Sequence, residues 1–283
     1  MKILMIGAHP DDCDYYGSGL AAKYVRAGHT VKFLSICNGC GGHHEMDPNA
    51  IAGRRFYEIQ EAAKVIGITY DVWDIPDCTA ENDLRTRERI ICYIRAFCPD
   101  LIITHRTNDY HADHRAAGLL VQDASYLLIV PNYCPQSPAM RRMPVIAFFG
   151  DNFQNPPFRP DIVIETDEEA ELKFQMADKH VSQVYEWLPY THEDLETVPT
   201  DPKARFEWLK GAPVTEDMTD EEILALDGNY AKRFAIPAAL YRKELIARYG
   251  EEKGKKVRFA ESYEISEYGA PLTPELAKKL FPF

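Results

Sequence analysis

Two short stretches hold most of the residues in this chain that could do chemistry. The first is "AHPDD", Ala8 to Asp12; the second is "THRTNDYHADH", Thr104 to His114. Together they carry His9, Asp11, Asp12, His105, Asp109, His111, Asp113 and His114, including four of the chain's nine histidines. Histidines and carboxylates gathered at one crevice have the composition of a hydrolytic metal site. Catalytic zinc takes three protein ligands from His and Asp or Glu and keeps a position for water. The metal lowers the pKa of that water toward neutrality and polarises a bound carbonyl. A second carboxylate, near the water but off the metal, can act as general base. Asp11 and Asp12 could supply both roles if their side chains diverge. Each loop alone also has a plainer reading, in which Asp11, Asp12, Asp109 or Asp113 caps the helix that follows.

The two loops matter jointly only if the fold brings them together. "KILMI" (Lys2 to Ile6) reads as a buried parallel strand. "GSGLAAKYVRAG" (Gly17 to Gly28) then reads as a helix closed by its final glycine. "TVKFLSI" (Thr30 to Ile36), "YDVWDI" (Tyr70 to Ile75) and "DLIITH" (Asp100 to His105) read as further strands. Helices are expected over Asn49 to Gly67, Asn82 to Cys98 and His111 to Leu128, Pro99 stopping the second of these. This alternation is the signature of βαβ units. The expected fold is therefore α/β and Rossmann-like, a mostly parallel sheet flanked by helices. For the common strand order 3-2-1-4-5, ligands bind between the first and fourth strands, at their carboxyl ends. "AHPDD" follows the first strand, and "THRTNDYHADH" runs on from the end of the fourth.

Past residue 130 the winding is less regular. "VIAFFG" (Val145 to Gly150) and "DIVIET" (Asp161 to Thr166) read as strands. "EEAELKFQMADKHVSQVYEWL" (Glu168 to Leu188) reads as one strong helix. An irregular, helical, Pro- and Tyr-rich extension follows. We read 1–283 as one domain, with regular winding over 1–130 and extra strands, helices and a tail over 131–283.

Composition narrows the function. Of 283 residues, 46% are apolar, enough for a sizeable core. The formal net charge of -12 repels phosphate backbones, so nucleic acid is not the expected partner. Seven scattered cysteines suit reduced thiols and a cytoplasmic location. The N-terminal apolar run is too short for a signal peptide, and no apolar segment approaches 18 residues, so no membrane association is expected.

The motifs resemble those of the PIG-L/LmbE-type N-acetylglucosamine deacetylases. "AHPDD" resembles that family's AHPDDE, and "HADH" (His111 to His114) its HPDH. "RFYE" (Arg55 to Glu58) resembles an R-x-x-E on the second helix, "IPDC" (Ile75 to Cys78) a sugar-contacting Asp, and "KFQMADKHVSQ" (Lys173 to Gln183) a late K…A…H-x-S-Q segment. The resemblance implies His9, Asp12 and His114 as ligands of Zn2+ or another divalent metal. It implies Asp11 as base, His111 as oxyanion stabiliser or proton donor, and Asp113 as the group orienting His111. Arg55 and Asp77 would hold sugar hydroxyls. The implied reaction removes an N-acetyl group from a GlcNAc-type sugar or small glycoconjugate.

Two departures stand out. Cys13 replaces the Glu that completes AHPDDE. The loop "CNGCGGHH" (Cys37 to His44) invites a second zinc, but structural zinc pairs normally recur and this one has no partner pair. We read it as a flexible substrate loop. Two alternatives remain at this stage: an amidase acting on a sugar–thiol conjugate, and a non-catalytic Rossmann-like module binding a sugar or nucleotide. The module is weakened because no G-x-G-x-x-G follows the first strand. Aromatics such as Tyr133, Phe153 and Trp187 could line an acceptor pocket, although most read as core or subunit contacts, which leaves room for a homo-oligomer.

Overall fold

The computed structural model describes residues 1–283. A sheet of seven strands forms its centre, in the order β3-β2-β1-β4-β5-β7-β6. Strands β1 (Lys2–Gly7), β2 (Thr30–Cys37), β3 (Thr69–Ile75), β4 (Leu101–Thr104) and β5 (Val145–Phe149) pair in parallel. They are linked by α1 (Asp12–Arg26), α2 (Pro48–Ile66), α3 (Leu84–Phe97) and, after β4, α4 (Ala112–Leu127). The order reverses between β1 and β4, as the expected winding requires.

The apolar strand runs are buried on both faces. Ile3, Met5, Phe33 and Ile103 pack with Leu20 of α1 and Ile59 of α2. Leu4, Ile6, Leu34 and Ile102 pack with Ile90 of α3 and Leu120 of α4. Alternate residues of each strand thus serve opposite layers, which is why the runs are continuous rather than alternating. Helix ends follow local chemistry. Asp47 accepts the amides of Asn49 and Ala50 at the start of α2, and Gly67 closes that helix at φ 73.

The second half differs from expectation in two places. Strands β6 (Ile162–Glu165) and β7 (Ala260–Gly269) complete the sheet, and β7 lies antiparallel between β5 and β6. The sequence pattern does not announce β7, because "AESYEISEYG" carries three glutamates where a central strand should be apolar. Glu261 nevertheless is 3% exposed. It accepts the amides of Gly19 (2.8 Å) and Leu20 (2.7 Å) within α1 and pairs with Lys173. A buried carboxylate is tolerable when donors surround it in this way.

The helix expected over 168–188 also breaks. It is a short 3-10 turn (Asp167–Glu169), α5 (Ala170–Lys179), a π-turn (Gln183–Trp187) and α6 (Leu188–Thr191). The break at His180 lets Ser182 donate to Glu58 through its amide (2.9 Å) and its hydroxyl (2.6 Å). Gln183 donates to the Gly42 carbonyl at 2.8 Å. Helices α7 (Pro202–Lys210), α8 (Asp220–Ala225), α9 (Tyr230–Leu240), α10 (Arg242–Tyr249), α11 (Glu251–Lys256) and α12 (Pro274–Leu280) complete the chain. Leu280 and Phe281 join the core beneath α1, so the two halves share the sheet and this core cluster, with smaller clusters around Phe174, Leu245 and Ile223. No helix is long and apolar enough to cross a membrane.

Candidate active site

The two motif loops leave β1 and β4 side by side, and their histidines and aspartates converge. His9 Nδ1 lies 3.6 Å from Asp12 Oδ2, and His114 Nε2 lies 3.5 Å from Asp12 Oδ1. Both separations exceed an ordinary hydrogen bond. The far nitrogens are held closely: His9 Nε2 is 3.0 Å from Asp113 Oδ2, and His114 Nδ1 is 3.0 Å from Asp109 Oδ2. A carboxylate behind each imidazole fixes its tautomer and aims the other nitrogen forward. Asp113 is itself anchored by the amides of Cys78 (2.6 Å) and Ala80 (3.2 Å). Two imidazole nitrogens approach the two oxygens of one carboxylate, a donor chemistry that suits a divalent cation.

The surrounding carboxylates also set the charge of the imidazoles. Burial disfavours charge on His9, but the Asp113 and Asp12 carboxylates beside it outweigh burial and push its pKa up to about 10. Burial likewise opposes charge on His114, while Asp12 and Asp109 raise its pKa. Burial works against the Asp12 anion, yet His114 and His105 hold its carboxyl well below the usual range. Carboxylates that favour positive charge on two imidazoles would also favour a cation in place of their protons.

None of the carboxylates is consumed as a simple helix cap of the kind weighed above. Asp11 sits at the N-cap position of α1 without a side-chain cap bond. Helix α4 is capped by His111, whose Nδ1 accepts the Asp113 amide at 3.2 Å. The Asp113 carboxylate therefore backs His9, while toward His111 its amide makes the hydrogen bond and its Oδ2 lies 3.8 Å from Nδ1. Asp109 accepts the His111 amide through Oδ1 at 2.8 Å while backing His114 through Oδ2.

Asp11 faces the same cavity. Its Oδ1 lies 3.1 Å from Arg55 Nη2, which also donates to the Pro10 carbonyl at 2.8 Å. Asp77 accepts the amides of Gly39 (2.8 Å) and Gly41 (2.9 Å). A cavity of about 380 Å³ is bordered by His9, Asp11, Asp12, His111 and His114, with Arg55 and Asp77 on its wall. Asp113 is fully buried behind it. R-x-x-E works as a double bolt, since Arg55 grips Asp11 and, one turn on, Glu58 grips Ser182.

The Cys37–His44 loop is pinned over Arg55 rather than free. Gly39 adopts φ +79, and a Cβ there would lie 2.5 Å from Arg55 Cδ, so only glycine lets the loop sit so close. His43 Nε2 meets Glu186 at 2.9 Å, and His44 stacks on Tyr190 at 4.1 Å. The two histidines thus turn to the π-turn segment and α6. Cys13 faces the core beneath Gly7, and burial pushes its thiol pKa up.

His105 carries more of the site than the sequence motifs assign to it. It stacks on His114 with centroids 3.9 Å apart, and its Nε2 lies 3.1 Å from Asp12 Oδ2. Asp12, His105 and His114 have ligand atoms within 4.8 Å of one another, as do His9, His111 and His114. The signal available was its position at the end of the fourth strand. Gly118 in α4 holds His105 in place, because a Cβ there would lie 2.5 Å from the His105 carbonyl oxygen. Gly118→Ala is expected to cost about 1–3 kcal/mol through forced displacement of that backbone. Urea unfolding of the variant against the parent measures it, and an unchanged midpoint would refute it.

This fold and crevice define a Rossmann-like α/β protein with a His/Asp donor set at its switch point. Residues 4–125 match the family model described as PIG-L: GlcNAc-PI de-N-acetylase. Over 201 residues the chain is 24% identical to the 4-oxalmesaconate hydratase of Pseudomonas putida, covering 68% of this chain and 78% of that one. The N,N'-diacetylchitobiose deacetylase of Pyrococcus horikoshii superposes with a TM-score of 0.63 at 20% identity, covering 94% of this chain and 83% of that one. A conserved protein of Thermus thermophilus superposes with a TM-score of 0.65 at 18% identity, covering 96% and 97%. At these identities the structures establish a common fold.

Proposed function

We propose that this protein is a zinc-dependent N-deacetylase that hydrolyses the acetamido group of a GlcNAc-type sugar or small glycoconjugate. His9, Asp12 and His114 would hold the metal. The observation that carries the reading is the paired backing of His9 by Asp113 and of His114 by Asp109, which aims both imidazoles at Asp12. When bound, the ion would polarise the amide carbonyl and acidify a water molecule.

The remaining roles fall to the chain's own side chains. Asp11, steadied by Arg55, takes the proton of the attacking water. That proton then passes to the departing amine, so that acetate and a free amine are the products. His111 Nδ1 accepts the Asp113 amide, so a neutral His111 carries its proton on Nε2. Burial and the neighbouring His9 and His114 lower its pKa, which favours the neutral form. A neutral Nε2–H donates to the oxyanion as the carbonyl becomes tetrahedral. Arg55 and Asp77 border the cavity where sugar hydroxyls would lie, although part of their bonding capacity is spent on Asp11 and on the Gly39–Gly41 amides.

Acetate release from N-acetylated sugars and glycoconjugates, with and without zinc, tests the reaction. No release from any of them with zinc present would refute it. His111→Ala is expected to lower kcat about 10²-fold with KM little changed, since its donation strengthens only as charge develops. Steady-state kinetics on an active substrate check this; a defect confined to KM would make His111 a binding residue.

A second reading is water addition to an unsaturated acid, favoured by the similarity to the Pseudomonas putida hydratase. Loss of an enoate's conjugated absorbance without acetate release would select it.

A further inference from the structure

Arg233 is a cation of this crevice that the chain leaves without a partner. It lies on α9, outside the stretch that matches the family model. It borders both the cavity around His9 and an adjoining one of about 350 Å³. The other cations there are spent. Arg106 grips Asp151 through Nε (2.6 Å) and Nη2 (2.7 Å), Lys173 pairs with Glu261, and Arg55 meets Asp11 at 3.1 Å. The Arg233 guanidinium makes no hydrogen bond or ion pair; its companion is the Tyr15 ring, whose centroid lies 4.8 Å from Cζ. Tyr15 is fixed in turn by a bond of 2.5 Å between its hydroxyl and that of Tyr230.

The Arg233 guanidinium is exposed on the cavity wall, so its donors are open to an anion, and no side chain in contact with it neutralises it. Tyr15 and Tyr16 cannot, because burial pushes both phenol pKa values up and keeps them neutral. The surroundings select the class of anion. One guanidinium fork matches one carboxylate in a bidentate pair. A phosphate dianion would call for further cations or amides, and the nearby Asp11 and Asp109 oppose a second negative charge.

We propose that Arg233 binds a carboxylate on the substrate, so that the compound taken up is an acidic N-acylated one, such as an acetamido sugar acid. The fate assigned to that compound rests on the deacetylase reading; the carboxylate site does not. The carboxylate lies against Arg233, the body of the substrate rests between Tyr16 and Tyr110, and the acetamido group points toward His9 and His114. Arg233 is then the residue that separates acidic substrates from neutral ones.

The test uses the full-length, zinc-loaded protein and two matched probe pairs: N-acetylmuramate against N-acetylglucosamine, and glucuronate against glucose. Calorimetric affinities and acetate release are measured for the parent, Arg233→Gln and Arg233→Lys. Arg233 has no internal bond to lose, so both variants should match the parent in thermal unfolding. The parent is expected to prefer the acid of at least one pair by about tenfold or more. Arg233→Gln should abolish that preference, and Arg233→Lys should keep part of it. Equal affinity for acid and neutral probes in the parent, or a preference that survives in Arg233→Gln, overturns the proposal. Arg233-dependent acid binding without acetate release keeps the carboxylate site and removes the deacetylase reading. Acetate release with no acid preference does the reverse.

Discussion

Asp11→Asn is expected to keep its metal and to lose about 10²- to 10⁴-fold in kcat. The amide is nearly the size of the carboxylate, so the contact with Arg55 can be kept in part, but the acceptor for the water's proton is gone. Asp11 stands beside Arg55 and not between the two backed histidines, so metal affinity should not depend on it. Asp12→Asn should behave in the opposite way, because its two oxygens face His9 and His114. Metal content by elemental analysis and single-turnover rates on the same samples separate the two effects. If Asp11→Asn lost its metal while Asp12→Asn kept it, the roles of the adjacent aspartates would have to be exchanged.

His114→Ala is expected to lose the metal altogether, and activity with it. His114 is common to every arrangement of donors at this crevice except those built on Cys37 or Cys78. The informative comparison is therefore between His9→Ala and His105→Ala. With His9, Asp12 and His114 as ligands, His9→Ala loses metal and His105→Ala retains it. With Asp12, His105 and His114 as ligands, the pattern reverses. The backing of His9 by Asp113 favours the first outcome, because such support raises ligand basicity. The nitrogen of His105 nearest the site lies within hydrogen-bonding range of both Asp12 (3.1 Å) and the Ala8 amide (3.2 Å), which ties it into the surrounding framework. Full retention of metal in His114→Ala would refute this ligand set.

Much of the site is legible without coordinates. "AHPDD" and "THRTNDYHADH" lie at strand ends that a parallel winding must bring together, and the sheet order puts β1 beside β4. The partners within the cluster are harder to read. The motif resemblance has Asp113 orienting His111; its carboxylate lies 3.8 Å from His111 Nδ1 but bonds His9 at 3.0 Å, held by the amides of Cys78 and Ala80 from the β3 side of the crevice. Such a contact spans loops far apart in sequence and leaves no periodic trace. The His43 and His44 side chains are equally opaque: their partners Glu186 and Tyr190 exist at that place only because the helix beyond His180 breaks.

The amino-acid sequence by itself determined the first six strands, the four helices between and after the first four of them, and the loops that carry the chemistry. Apolar runs, helix caps and glycine stops are local signals, and parallel strands buried on both faces make them strong. Tertiary structure alone decided the rest. Strand β7 enters the sheet because donors from α1 and α5 neutralise Glu261, a condition no window of sequence contains. The helix expected over 168–188 is interrupted because Ser182 and Gln183 gain more from Glu58 and the Gly42 carbonyl than from a further helical turn. Arg233 reaches the crevice only because α9 packs across β7 and beside Tyr15. All three depend on groups distant in the chain meeting, and for Glu261 and Glu58 they meet in a low-dielectric interior, where an unpaired charge is costly and its partner is set by packing rather than by neighbours in sequence.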